Sequence, residues 1–159
     1  MANKINEDTI NLIKSFEGFS DKAYHDTIDP VNVDTIGYGT VAYPNGKKVK
    51  VDDPDITQEQ AVEYLMFEVN QKAKVITPMI HTSLNDNQFG ALVSFAYNLG
   101  EGSLSSSTLL KKVNANPKDL TIKDEFLKWN HSCGKVVDGL TRRRLSEWEL
   151  YNSAVKNIQ

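Results

Sequence analysis

The chain has 159 residues and a single cysteine, Cys133, so no disulfide can close within it. A small fold stapled by disulfides is thereby excluded. Long apolar runs are missing too. The longest patches, such as ALVSFAY from Ala91 to Tyr97, are short and interrupted by polar residues. A membrane span needs ~18–20 unbroken apolar residues. There is no basic excess: 18 Lys and Arg stand against 21 Asp and Glu, a net charge of −3. Nothing in that balance marks a nucleic-acid partner. The opening MANKINEDTI lacks the apolar core of a signal peptide, so the product is expected first in a reducing cytoplasm. Internal repeats and low-complexity segments are also absent. Cys133 and the scattered His25, His81 and His131 lack metal-ligand spacing. No metal or organic cofactor is expected.

What remains is an ordinary globular composition. It suits one medium domain, or two lobes sharing a long helix. Asp8-Thr9-Ile10 opens a short helix with Ile10, Ile13 and Phe16 on one stripe, and Gly18 is its stop. Residues 19–56 change character. Brief β-type runs, KAY, TIGYG and KVKV, lie between Gly, Pro and Asp punctuation, with Pro44-Asn45-Gly46 as a turn. That is a small β-rich lobe. From Thr57 the pattern turns helical. Thr57 and Gln60 have capping-box spacing, and Ala61, Leu65, Val69 and Lys72 mark a run that lasts to Pro78. About 20 residues at 1.5 Å each give ~30 Å, enough to bridge two lobes. Further helices are expected from about Leu84 to Leu99 with Gly100 as a left-handed cap, from Ser107 to near Pro117, after a Thr121 cap, and from near Gly139. The expected class is α+β, with the sheet segregated from most helices.

One stretch carries chemistry. TIGYG, Thr35 to Gly39, is one substitution from a potassium-channel filter loop, but the missing spans exclude a channel. Gly37 and Gly39 are not followed by the glycine and Lys-Ser/Thr of a phosphate loop. Upstream, Glu17 ends the first helix, Asp26 follows the first β-run, and Thr35 begins the next. An acid, a second acid and a hydroxyl on three consecutive elements suit glycoside hydrolysis. One carboxyl delivers a proton to the leaving oxygen, and the other activates water or bonds to the sugar carbon. Spacing alone does not rank Asp26 above Asp21, Asp29 or Asp34. Equally, a Glu at a helix end and an Asp in a turn are commonly surface residues, and Tyr38 fits a packing aromatic.

Glu17-Gly18, Ala23-Tyr24, Asp26 and Thr35 to Gly39 together resemble the E-G, A-Y-x-D, T-I-G-Y-G hallmark of the phage-type lysozymes, the endolysin muramidases of glycoside hydrolase family twenty-four. Asn85 to Asn114 looks like that family's Q-x-x-A-L-x-S-F-x-x-N-x-G helix and following S-T-L-L helix. Phe126 to Tyr151 looks like its closing G-L-x-x-R-R-x-x-E segment. Three blocks in order cover most of the chain.

The resemblance implies one lysozyme-like domain over residues 1–159. Its N-terminal lobe would span about 1–56, a linking helix about 57–77 and a helical lobe about 78–159, with the active-site cleft between lobes. It implies hydrolysis of the β-1,4 bond between N-acetylmuramic acid and N-acetylglucosamine in peptidoglycan. Glu17 would be the general acid, and Asp26 and Thr35 would hold the attacking water. Tyr24, Tyr38, Ser94, Asn98 and Arg142 would lie near substrate, with the Gly100–Gly102 turn beside them. Arg142 or Arg143 would pair with Glu17, Arg142 being favoured, and the other two of Arg142 to Arg144 would be a solvated charge run. The TIGYG glycines would make room for sugar. The implied protein is monomeric, stays out of the membrane, and is made in a host cytoplasm. It reaches the periplasm and wall through a separate holin.

Two departures stand out. The eight residues Thr27 to Asp34 make this turn about three longer than the family's usual, and Thr40 replaces a common histidine. The acidic balance also leaves wall binding to cleft contacts or local basic groups such as Lys47-Lys48. The rival readings are a lytic transglycosylase and a wall-binding protein or virion component of the same fold.

Overall fold

The computed structural model describes residues 3–26 and 33–154. The backbone groups into two compact units, residues 13–71 and residues 1–12 with 72–159.

In the first of these, the end of helix α1 (Glu7–Phe16) leads into strand β1 (Ser20–His25), which pairs antiparallel with β2 (Asp34–Gly37). The α1 start is local chemistry: Asn6 Oδ1 accepts from the Thr9 N–H at 3.0 Å, which satisfies one orphan donor. Tyr24 lies opposite Thr35 and His25 opposite Asp34, with a bulge between Ser20 and Tyr24. The turn at Pro44-Asn45-Gly46 forms, with the Gly46 N–H on the Tyr43 carbonyl at 2.9 Å. KVKV does not become a strand. It makes one isolated bridge, Lys48 to Ala42, and the Val49 N–H donates to Val41 O. Two backbone contacts with no third neighbour do not build a ladder. Helix α2 (Gln58–Ile76) opens with the expected reciprocal cap. The Gln60 N–H donates to Thr57 Oγ1 at 3.1 Å, and the Thr57 N–H donates to Gln60 Oε1 at 2.9 Å. Ala61, Leu65 and Val69 are fully buried. The stripe continues through Ala73 and Ile76 rather than Lys72, whose ammonium pairs with Glu101.

The second unit is nearly all helix: α3 (Asp86–Leu99), α4 (Glu101–Ser105), α5 (Thr108–Ala115), α6 (Ile122–Leu127) and α7 (Asp138–Tyr151). α3 packs on α7, and α6 on both α5 and α7. The core holds Leu92, Val93, Phe95, Leu104, Leu109, Val113, Ile122 and Phe126. Asn85 and Gln88 form a capping box for α3, and Ser107 caps α5. The start of α1 joins this unit at Gly90, where an added Cβ would fall 1.8 Å from Thr9 Oγ1. Only glycine permits that approach.

Four local expectations are corrected. Gly100 has φ 92° and ψ 151°, outside the left-handed helical well. It turns the chain straight into α4, so the expected Gly100–Gly102 turn is the start of a helix. Thr121 makes no side-chain cap to α6; its hydroxyl donates to Asp119 at 2.7 Å. A hairpin of β3 (His131–Ser132) and β4 (Lys135–Val136) lies between α6 and α7, where the sequence pattern named no element, with Cys133 and Gly134 both at positive φ in its turn. Such two-residue turns need that conformation at both positions.

Candidate active site

Glu17 follows the last residue of α1, and its N–H donates to Ile13 O at 3.0 Å. This helical bond fixes the direction in which the half-buried side chain leaves the helix. The backbone after β2 then comes against it. A Cβ on Gly39 would lie 3.2 Å from Glu17 Oε2, and Gly39 has φ +82°. Both facts favour glycine there. Gly37, at φ +65°, serves another contact: its Cβ would lie 3.1 Å from that of Ala61 on α2. The two glycines therefore make room for a helix and for a carboxylate.

Asp26 extends the β1–β2 ladder by one bond, its N–H donating to Val33 O at 3.1 Å. Residues directly opposite in an antiparallel pair share a face, and faces alternate along each strand. Tyr24, Thr35 and Asp26 thus fall on one face, while His25 and Asp34 fall on the other. Thr35 is 4% exposed, and its hydroxyl donates to Val33 O at a long 3.4 Å. Tyr24 remains 41% exposed. Partial burial, then the charges of Asp26 and Glu17, hold its phenol above the ordinary tyrosine range. That phenol feels both carboxyls, so Glu17, Asp26, Tyr24 and Thr35 gather in one neighbourhood.

The competing carboxyls are engaged elsewhere or peripheral. Asp34 Oδ1 lies 2.7 Å from His25 Nδ1, and its Oδ2 accepts from the Val51 N–H at 3.1 Å. It ties both strands to the loop before α2. Asp21 is exposed. Asp29 and the extended turn at 27–32 lie outside the described residues. Tyr38 is buried at 5%. It accepts from Gln58 Nε2 at 3.0 Å, packs on Phe19 at 5.2 Å, and carries Lys14 5.5 Å over its ring.

In the helical unit, Ser94 is fully buried and donates to Glu147 Oε2 at 2.6 Å. Asn98 is exposed at the end of α3, its Oδ1 accepting from Arg144 Nη2 at 2.8 Å. Arg142 is exposed. The rest of the expected charge run is not solvated: Arg143 is 4% and Arg144 0% exposed. Both flank the fully buried Glu147, with Nε atoms at 3.5 and 2.7 Å from it. Arg144 also lies 5.2 Å over the Phe95 ring. Burial is tolerable because opposite charges and hydrogen bonds meet. Sequence reasoning missed Glu147 as the centre of this cluster. The i, i+3 and i, i+4 spacing of Arg144, Arg143 and Glu147 was the available signal.

Glu17 at the end of α1, Asp26 just past β1 and Thr35 on β2, beside glycine turns, supply the pair of carboxyls that glycoside hydrolysis uses. The sequence profile of the family described as "Phage lysozyme" matches residues 14–147, and the chain belongs to that family. It is 42% identical to the endolysin of Bacillus phage B103 over 147 residues, covering 92% of this chain and 53% of the relative. With the endolysin of Salmonella phage P22 it shares 31% identity over 150 residues, covering 94% and 99%. The solved endolysin from Escherichia coli O157:H7 phage FAHEc1 superposes with a TM-score of 0.83 at 33% identity, covering 98% of this chain and 97% of that one. The chain spans little more than half the length of the Bacillus phage B103 and PZA endolysins, 53% and 58%. Among the described residues no helix is long and apolar enough to cross a membrane, and no three His, Cys, Asp or Glu residues could hold a metal.

Proposed function

We propose that this protein is an endolysin muramidase that cuts the β-1,4 bond between N-acetylmuramic acid and N-acetylglucosamine in peptidoglycan. The observation that carries the reading is the gathering of Glu17, Asp26, Thr35 and Tyr24 at the sheet, with Gly39 against the Glu17 carboxyl. In this reading Glu17 protonates the leaving oxygen as the glycosidic bond breaks. Asp26 takes a proton from a water that Thr35 helps to hold, and that water attacks the opposite face of the sugar. A water between carboxylate and sugar inverts the anomeric centre. Tyr24, Asn98 and Arg142, all exposed, are the substrate contacts of the proposal. Ser94 and Tyr38, both buried, act from behind by fixing Glu147 and the β2 turn. We take the chain as a single catalytic domain that acts as a monomer on the wall after a separate holin opens the membrane.

Digestion of purified peptidoglycan tests the reaction. Reducing N-acetylmuramic acid ends are expected. Anhydro ends would replace hydrolysis by transglycosylation, and no release at all would leave a wall-binding protein. Proton NMR of the first product anomer, before mutarotation, tests inversion.

A further inference from the structure

One groove in residues 13–71 takes no part in the chemistry above. It encloses about 820 Å³ and is walled by Tyr43, Pro44, Pro54 and Tyr64, with Lys47 and Lys48 among its lining residues. We infer that this groove is a second binding site for peptidoglycan, with its rings and prolines against sugar faces and its lysines on stem-peptide carboxylates. The inference rests on the muramidase reading.

The loop is built to present these groups. Tyr43 N–H donates to Lys47 O at 2.8 Å, and the Lys47 N–H donates to Asn45 Oδ1 at 2.9 Å. Asp53 Oδ2 accepts from both the Tyr43 hydroxyl at 2.8 Å and the Lys50 N–H at 2.9 Å. Burial and that bond push the Tyr43 phenol up to about 12, so Tyr43 offers a ring face to a ligand while its hydroxyl stays with Asp53. The Tyr43 and Tyr64 rings meet edge to face at 5.4 Å, each half-buried. Amphipathic rings held in this way suit the apolar faces of sugars.

Charge selects the rest of the ligand. The groove's two acidic residues are already answered: Asp53 by the bonds above, and Asp55 by Lys22 at 3.1 Å. Lys47 and Lys48 are exposed and make no ion pair among the described residues. In a chain of net charge −3, two adjacent uncompensated ammoniums over an aromatic wall favour a polymer with both ring faces and anionic groups. A glycan strand with acidic stem peptides has both, whereas a polyol-phosphate chain lacks the ring faces.

The test compares Lys47→Ala/Lys48→Ala with the parent, both carrying Glu17→Gln so that cleavage does not enter. Co-sedimentation is measured on sacculi stripped of phosphate polymers, either with intact stem peptides or after amidase removal of them. The expected result is binding to peptide-bearing sacculi weakened about tenfold, in line with two exposed charge contacts. Binding to peptide-free glycan should be unchanged, and Lys47→Arg/Lys48→Arg should retain the parent affinity. Equal binding by the alanine variant overturns the site. So does an equal loss on both substrates, or a loss seen only when phosphate polymers are left on the wall. Failure of the wild-type protein to release reducing ends would sink the muramidase reading while leaving this binding difference intact.

Discussion

Two carboxylate settings in the molecule follow opposite rules. Glu147 in the helical unit has no exposed surface and is surrounded by Arg143, Arg144 and the Ser94 hydroxyl. Glu17 and Asp26, in residues 13–71, stay half-buried at the sheet. A carboxylate that stabilises a fold is best saturated with donors, because every unmatched charge in a low-dielectric interior is costly. A carboxyl that moves protons has to keep surface through which a substrate can reach it. Asp34 shows how small the difference is in sequence. It sits one residue from Thr35, yet its oxygens are spent on His25 and Val51.

The comparison is broken most severely at Glu17. Glu17→Gln keeps nearly the same shape and should lower peptidoglycan turnover by about 10⁴-fold, the upper range for losing a general acid. Its unfolding midpoint should hardly move. Turnover near the parent rate in a turbidity assay would remove Glu17 from the mechanism.

Glu147→Gln should do the reverse. It removes the carboxylate charge that lies between two buried guanidiniums and is expected to cost about 3–5 kcal/mol in urea unfolding. Activity per folded molecule should fall far less than in Glu17→Gln. A variant as stable as the parent would show that the cluster is incidental.

The sheet faces offer a finer contrast. Thr35→Ala should slow turnover roughly tenfold, worth about 1.4 kcal/mol of barrier. Asp34→Asn should change it less than about twofold while loosening the sheet slightly. If Asp34→Asn proves the damaging change and Thr35→Ala is silent, the face assignment is inverted.

The smallest effect concerns a third kind of carboxylate. Glu125 is held below its usual range by hydrogen bonds from Lys112 and Lys128, against partial desolvation. Its folded pKa is depressed, so its contribution is complete above the unfolded value of about 4.3 and is lost as pH falls through the folded one. Glu125→Gln should therefore remove a small part of the acid-side loss in thermal stability, and leave the neutral-pH profile flat. An unchanged acid limb would mean that the lysine pairs contribute nothing.

Local chemistry was legible. The Thr57–Gln60 capping box, the start of α3 near Leu84, the start of α5 at Ser107 and the Pro44-Asn45-Gly46 turn depend on residues within three or four positions of one another, and such signals survive in a linear string. The order of three motif blocks likewise announced the phage lysozyme family. The α4 helix, the hairpin around Cys133-Gly134 and the ψ of Gly100 were not legible, because short elements are decided by what packs on them rather than by intrinsic propensity.

The candidate site divides along the same line. Glu17 and Thr35 could be placed by type and order, and Asp26 was singled out from its neighbours only by the family resemblance. Which neighbouring aspartate shares a face with Thr35 and Tyr24 could not be read from order, since it turned on the register that sets Asp34 opposite His25 and Thr35 opposite Tyr24. A shift of one residue would have exchanged their faces. Two of three adjacent arginines read as a solvated run until α7 turned Arg143 and Arg144 inward onto Glu147. By itself, then, the sequence determined the family, most helix starts and the inventory of acids. Tertiary structure alone decided which charges are buried together and which glycine yields to Glu17 or to Ala61, because burial and close approach are properties of elements distant in the chain meeting in space.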